Sequence, residues 1–269
     1  MDDLDKPIAY GRTAEIFAWG ENQVLKLFHA WVGFEAVEYE YRIARAVQSC
    51  GLPVPQVGEI VEYKGRYGIT CQRMEGISMT ESLARAPWKI LRYARRMAEL
   101  HARVHAVTHP ADIPPLHPKI ARKILQATSL PARLRQKALS RLEKLPEGHG
   151  LCHGDFHPDN ILLTPQGEVI LDWMDAGTGN PLADLARTSI ILKGSIESGQ
   201  IRHPLLKRLA HLFHRAYLAQ YFSLRPGGES EYALWLPIIA AARLSEHIPE
   251  LEGWLLAQAE QGFSQPLPE

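Results

Sequence analysis

The spacing of apolar and polar positions changes period near residue 75. Before it, short runs alternate as strands do, at 14–19, 23–28, 58–63 and 67–72. Gly20-Glu21-Asn22 separates the first two runs and Lys64-Gly65-Arg66 the last two, so the pattern predicts two hairpins. Between them, residues 34–50 carry helical spacing that Gly51 and Pro53 stop. After residue 78 the period becomes that of helices, at 88–107, 118–128, 131–145 and most of 204–262. One β-type stretch, 151–173, interrupts this helical part. The pattern therefore predicts an α+β fold of two lobes. A small antiparallel β-sheet lobe with one main helix (1–75) meets a larger, mainly helical lobe (76–269) at the hinge candidate Met74-Glu75-Gly76.

Composition narrows the class. The chain has 269 residues, 46% hydrophobic and 22% charged, which is enough to bury a sizeable core. Thirty Lys and Arg balance thirty Asp and Glu, so no overall field draws it to nucleic acid or an anionic membrane. Three cysteines, Cys50, Cys71 and Cys152, lie far apart, as expected of a reducing compartment. The N-terminal residues are acidic, unlike a secretory signal, and the longest apolar stretch (233–242) is short and contains Pro237. A cytoplasmic protein, monomer or homodimer, is the expectation. Local charge is less even: 119–144 holds eight basic residues against Glu143, and 226–269 holds seven glutamates against Arg243. These are either solvated helix faces or, for the acidic section, part of a site for a cationic small molecule.

The stretch with most chemistry is 151–173. Ile161-Leu162-Leu163 and Glu168-Val169-Ile170-Leu171 read as strands about a Thr164-Pro165-Gln166-Gly167 turn. A hairpin returns the chain to its starting end and so brings Asn160 beside Asp172. One amide oxygen and one carboxylate, with room for water and phosphate oxygens, suit magnesium. Asp155 lies five residues before Asn160 on a loop bent by Gly154 and Pro158, where a carboxylate can face another partner. Singly, the three side chains have plain structural uses as turn, cap and Asx-turn residues; their order around one hairpin points to phosphoryl transfer. A metallohydrolase with His153, Asp155 and His157 as ligands is the alternative reading.

His153-Gly-Asp155-Phe-His-Pro-Asp-Asn160, followed by Leu171-Asp172-Trp173, resembles the signature of the aminoglycoside phosphotransferase and choline kinase family, small-molecule relatives of protein kinases. The resemblance implies that Asp155 is the catalytic carboxylate and that Asn160 and Asp172 hold Mg²⁺. It also implies a nucleotide-binding first lobe, with ATP or GTP as phosphate donor. Lys26, a lone charge in the apolar run Val24-Leu25-Lys26-Leu27-Phe28, would then bind phosphates, although a snorkelling surface lysine has the same pattern. Glu40 is its expected partner, because spacing to Ile43, Ala44 and Val47 sets it on the apolar face of the helix. Thr13 is either a phosphate contact or an ordinary turn residue. Family spacing gives the adenine contacts to Gln72 and Met74, with Cys71 limiting pocket depth.

The resemblance makes His153 and Asp184 structural supports of the catalytic loop. Asn180 and Pro181 open the helix that carries Asp184. For the acceptor site, Trp173, Asp175, Glu231 and Glu246 are the candidates. The expected activity is transfer of the γ-phosphate of ATP or GTP to a hydroxyl of a small, cationic acceptor. Aminoglycosides come first and amino-alcohols such as choline second; a silent nucleotide-binding pseudokinase is the non-enzymatic alternative.

Overall fold

The structure, a computed structural model, describes residues 4, 6–199 and 201–264. The acidic residues Asp2, Asp3, Asp5 and Glu269 lie outside that set. The chain forms two compact units, an antiparallel-sheet lobe and a helical lobe. The first runs to Met79 and takes in Pro110–Asp112 and Asp159–Met174; the second has Thr80–His109, Ile113–Pro158 and the residues from Asp175 on.

In the first unit, β1 (Ala9–Tyr10), β2 (Ala14–Trp19) and β3 (Gln23–Phe28) precede helix α1 (Phe34–Gln48), and β4 (Val57–Tyr63) and β5 (Arg66–Gln72) follow it. All pairs are antiparallel in the order β1-β2-β3-β5-β4, with Ala14 opposite Phe28 and Lys26 opposite Ile69. The two-residue side-chain period divides β3 between two apolar clusters. Leu25 and Leu27 join Phe17 and Tyr63 on one face, and Phe28 joins Val37 of α1 and Ile69 on the other.

A second sheet completes this unit. Strand β6 (Ile77–Ser78) pairs with β8 (Ile161–Thr164), and β8 with β9 (Gly167–Ile170). Ile170 N–H also donates to Pro53 O at 2.8 Å. The sequence pattern put the boundary at residue 75 and the 151–173 hairpin with the helices. These pairings instead give residues 159–174 to the first unit, because backbone hydrogen bonds to Ile77, Ser78 and Pro53 outweigh proximity along the chain. Gly76 permits the approach: a Cβ there would lie 2.4 Å from Leu163 O.

The second unit contains α2 (Met79–Arg85, which spans the boundary), α3 (Ile90–His105), α4 (Leu116–Gln126), α5 (Ala132–Leu142), and the three-residue strands β7 (Gly150–Cys152) and β10 (Gly177–Gly179), which pair with each other. Helices α6 (Pro181–Glu197), α7 (Pro204–Leu224), α8 (Glu229–Arg243) and α9 (Pro249–Ser264) complete it. Helix α3 packs on α7, and α8 packs on both α6 and α9. Tyr217 and Tyr221 of α7 and Trp235 of α8 are fully or almost fully buried there. Much of the basic stretch is structural: Arg141 donates to Gly262 O and Phe263 O and so satisfies carbonyls at the end of α9. No described helix is long and apolar enough to cross a membrane.

Candidate active site

The first unit brings together Lys26, Glu40 and Asp172. Alternation along β3 turns Lys26 to the face that carries α1, where Glu40 is buried among Val37, Ile43 and Val47. Lys26 Nζ donates to Glu40 Oε1 at 2.5 Å. Glu40 Oε2, also buried, has no hydrogen-bond partner among the described residues. Burial alone would push the Lys26 ammonium down; the charges of Glu40 and Asp172 outweigh it and raise it, so Lys26 is a cation at any physiological pH.

Asn160 and Asp172 flank the β8–β9 hairpin. Ile161 stands opposite Ile170, and Leu171 N–H donates to Asn160 O at 2.9 Å, so the two residues leave the ribbon at one end. Asp172 has φ of 59°, a left-handed backbone uncommon for a residue with a Cβ and worth about 1–3 kcal/mol of strain. Such strain persists where the surrounding structure over-determines the backbone, here the hairpin end closed by Leu171 N–H on Asn160 O. An amide oxygen and a carboxylate at one ribbon end are hard donors of the kind a magnesium ion accepts with water and phosphate. Thr13 O accepts from His29 N–H at 2.9 Å and closes the end of the β2–β3 pair. Gln72 ends β5, with its Oε1 accepting from Gln56 N–H at 3.2 Å, and Met74 lies in the irregular 73–76 link. Trp173 is buried, donating Nε1–H to Ile170 O at 3.2 Å.

The second unit holds Asp155 on a loop that follows β7. The brace beneath it is Asp184, in the first turn of α6, whose start is fixed by Asn180 Oδ1 accepting from Leu182 N–H at 2.9 Å. Asp184 Oδ2 accepts from His153 N–H at 2.6 Å, His101 Nε2 at 3.0 Å and His105 Nε2 at 3.2 Å; Oδ1 accepts from Gly154 N–H at 2.8 Å. Burial would raise this carboxyl, but the bonds from His101 and His105 hold it well below the carboxylate range. Tyr217 and Tyr221 hydroxyls donate to the Nδ1 atoms of His101 and His105 at 2.5 and 2.6 Å. Both imidazoles are thus neutral, with the proton on Nε2. His101, His105 and Asp184 are spaced to hold a metal ion, but each ring nitrogen and carboxylate oxygen already has a hydrogen-bond partner.

Other α6 side chains hold the loop from the same helix face. Arg187 Nε donates to Gly154 O at 3.1 Å and Nη2 approaches Asp155 Oδ1 at 3.5 Å, while Thr188 Oγ1 donates to Phe156 O at 2.9 Å. Gly154, at φ +80°, allows the close turn, since a Cβ there would lie 2.3 Å from Asp175 O. Asp155 N–H donates to His153 Nδ1 at 3.2 Å, and His157 Nε2 lies 3.4 Å from Asp155 Oδ2. Burial favours the neutral Asp155 carboxyl, but the His157 hydrogen bond and the Arg187 charge prevail and hold it far below the usual range. His153 is therefore a brace of the loop, and His157 a partner of Asp155.

The acidic acceptor candidates have internal partners. Asp175 Oδ1 lies 3.4 Å from Lys119 Nζ and 3.2 Å from Lys123 Nζ. Glu246 faces Arg187 Nη1 at 2.6 Å and Arg243 Nε at 3.2 Å. Glu231 accepts from Asn180 Nδ2 at 2.6 Å and Trp235 Nε1 at 3.2 Å, supporting the start of α6. The structure brings Asp175 and Glu246 into one network and leaves Glu231 in another. The residues that sequence reasoning missed are His101, His105 and Arg187. Two histidines one turn apart on the apolar face of 88–107 were a usable signal for the first two.

The buried imidazoles make a pH prediction. Burial pushes His101 and His214 down to about 4, and His105 in the same direction. Their ordinary value is about 6.5, so between pH 6.5 and 4 the unfolded chain binds protons that the folded chain does not. Their stabilising effect is complete above pH 6.5 and declines as pH falls, by up to about 1.4 kcal/mol per pH unit for each group. The denaturant midpoint should therefore be level from pH 7 to 8 and drop steeply from 6.5 towards 4. A level midpoint across the lower window would contradict neutral buried imidazoles.

The model of the phosphotransferase enzyme family matches residues 6–229. The chain belongs to that family. Among solved structures, this family member is similar to a choline/ethanolamine kinase family protein from Mesorhizobium loti, with a TM-score of 0.63 and 17% identity over 98% of this chain and 89% of that one. It is similar also to a thermostable mutant of aminoglycoside phosphotransferase APH(4)-Ia in a ternary complex with ADP and hygromycin B, with a TM-score of 0.62 and 18% identity over 99% of this chain and 95% of that one. These likenesses show a shared kinase-like fold. A curated relative, acyl-CoA dehydrogenase family member 10 of Mus musculus, is 28% identical over 173 residues. The match takes in 56% of this phosphotransferase but spans only 16% of that relative's length.

Proposed function

We propose that this phosphotransferase moves the γ-phosphate of ATP or GTP to a hydroxyl of a small-molecule acceptor. The observation that carries the reading is Asp155, an ionised carboxylate on a loop hung from the buried Asp184, in the same short stretch of chain as Asn160. In the transfer, the acceptor oxygen forms a bond to the γ-phosphorus as the bond to the β-phosphate oxygen breaks; the nucleoside diphosphate leaves and the hydroxyl proton passes towards Asp155. A strongly acidic carboxylate is a weak base, which suits a loose transition state in which orientation of the hydroxyl counts for more than early proton removal.

Lys26, fixed by Glu40, neutralises phosphate charge; Thr13 and the 72–74 link are assigned to the same nucleotide. Asn160 and Asp172 would hold magnesium, which when bound supplies charge neutralisation on the phosphates. The complex of a structural neighbour with ADP supports a nucleotide as donor.

The test is incubation with labelled ATP, Mg²⁺ and a panel of hydroxylated acceptors. A labelled acceptor is the expected product; ATP binding with no product from any acceptor would instead indicate a silent nucleotide-binding module. Lys26→Met should cut the rise in unfolding midpoint produced by Mg·ATP to less than half that of the native chain. A full rise in the variant would remove Lys26 from the nucleotide site.

A further inference from the structure

Helices α3 and α7 run side by side in the helical unit. His101 bonds Tyr217 and His105 bonds Tyr221, both pairs 116 residues apart, so the helices are parallel. The same offset sets Ile90 beside Leu206 at their first turns, where the turn Pro87–Lys89 leads into α3. Of the six large apolar side chains exposed among the described residues of this unit, Leu125 and Leu224 stand elsewhere. The other four share this end: Trp88 (77% exposed), Leu91 (40%), Leu205 (56%) and Leu206 (50%). A single exposed leucine is ordinary; a tryptophan and three leucines on adjoining turns form a patch.

Its surroundings are cationic although the whole chain is neutral. Helix α3 carries Arg92, Arg95, Arg96 and Arg103 against Glu99, which accepts from Arg96 at 2.9 Å. Helix α7 carries Lys207, Arg208 and Arg215 and no acidic residue. Neighbouring carboxylates do not cancel this charge, since Glu81 pairs with Arg85 and exposed Glu197 lies one turn after Lys193 on α6. Arg92, Arg95, Arg208 and Arg215 are exposed and form no ion pair with any described residue.

We propose that this end of α3 and α7 docks on the surface of an anionic lipid bilayer. Trp88, Leu91, Leu205 and Leu206 enter the headgroup region, and the arginines meet the acidic headgroups. Tryptophan and leucine are favoured at that depth, and each basic residue near an anionic surface adds an attraction that salt screens. The contact is peripheral, because no described helix is long and apolar enough to cross a membrane. A nucleic acid would satisfy the arginines but give the leucines no apolar partner. A second copy would offer the exposed Glu250, Glu252 and Glu260 of α9, yet the described part of that helix exposes no large apolar side chain to cover the patch. None of these residues belongs to the nucleotide or catalytic site, so docking and phosphate transfer can fail separately.

Flotation of the full chain with vesicles is the first test. Phosphatidylcholine vesicles with about 30% phosphatidylserine should carry it at low salt, and pure phosphatidylcholine should not. Raising NaCl to about 0.5 M should release most of it. Leu205→Ser/Leu206→Ser and Arg95→Gln/Arg208→Gln alter exposed positions only, and both should weaken binding. The second should lower the partition coefficient roughly 25-fold, at about fivefold per arginine. Fluorescence quenching by brominated lipid keeps the native surface: Trp88→Phe should remove the quenching and Trp31→Phe, in the other unit, should not. Binding that both variants weaken, with quenching lost only in Trp88→Phe, supports the proposal. No binding to anionic vesicles, binding that neither variant weakens, or quenching that survives Trp88→Phe overturns it. Binding of labelled duplex DNA instead of vesicles, lost in Arg95→Gln/Arg208→Gln, overturns it in favour of nucleic acid. A dimer in sedimentation that Leu205→Ser/Leu206→Ser disperses, without vesicle binding, overturns it in favour of a second copy.

Discussion

Asp155→Asn should lower phosphate transfer by about 10²- to 10⁴-fold while leaving the nucleotide-induced rise in unfolding midpoint unchanged. Asparagine matches the shape of the side chain and keeps an oxygen for Arg187, so the loop retains its support from Asp184, Arg187 and Thr188. The negative charge that orients and finally takes the hydroxyl proton is lost. Nucleotide affinity is assigned to Lys26, Glu40 and Asp172 in the other unit, and the substitution leaves these untouched. Single-turnover transfer from labelled ATP reads the first effect and a thermal scan with Mg·ATP the second. Transfer within threefold of the native rate would remove Asp155 from the chemistry.

The largest effect on stability should come from Asp184→Asn. Asp184 is a fully buried carboxylate that accepts two backbone N–H bonds and two imidazole N–H bonds. Asparagine can rotate one oxygen towards some of these donors, but its NH₂ must then face the remainder with nothing to accept. Breaking a buried, charge-assisted network from one side costs about 3–5 kcal/mol. For a chain of this size that corresponds to a fall in melting temperature on the order of 10 °C. Because His153 and Gly154 hang from the same carboxylate, transfer should fall as well. Tyr217→Phe, which removes one donor to His101 and keeps the packing, is the milder comparison, near 1 kcal/mol. A fall of less than 2 °C for Asp184→Asn would show that the brace carries little of the stability.

Strands 14–19 and 23–28 and the 34–48 helix were legible because each buries one face and therefore writes a period into the chain. The Lys26–Glu40 pair was legible for the same reason, a charge set inside an apolar pattern. Strands β7 and β10 were not, since three residues with glycines carry no alternation. The hydrogen bonds of His101 and His105 to tyrosines 116 residues away join helices that nothing local connects. The acidic section misled more directly. Read along the chain, its glutamates suggest an open anionic face, but Glu246 meets Arg187 and Glu231 meets Asn180 only once the helices pack. Local charge density reports which side chains are present, and long-range pairing decides which remain available to a ligand.

The partition of the chain has a practical consequence for dissection. The hairpin of Asn160 and Asp172 belongs to the unit built mainly from residues before Met79, although helical-unit sequence precedes and follows it. Neither half can be excised by a single cut. A fragment ending near residue 79 would leave β6 as a bare edge with no ribbon to zip onto, and the remainder would carry an orphaned ribbon with exposed backbone donors. Separate expression of the two pieces calls for a circularly rearranged or complemented chain rather than a truncation.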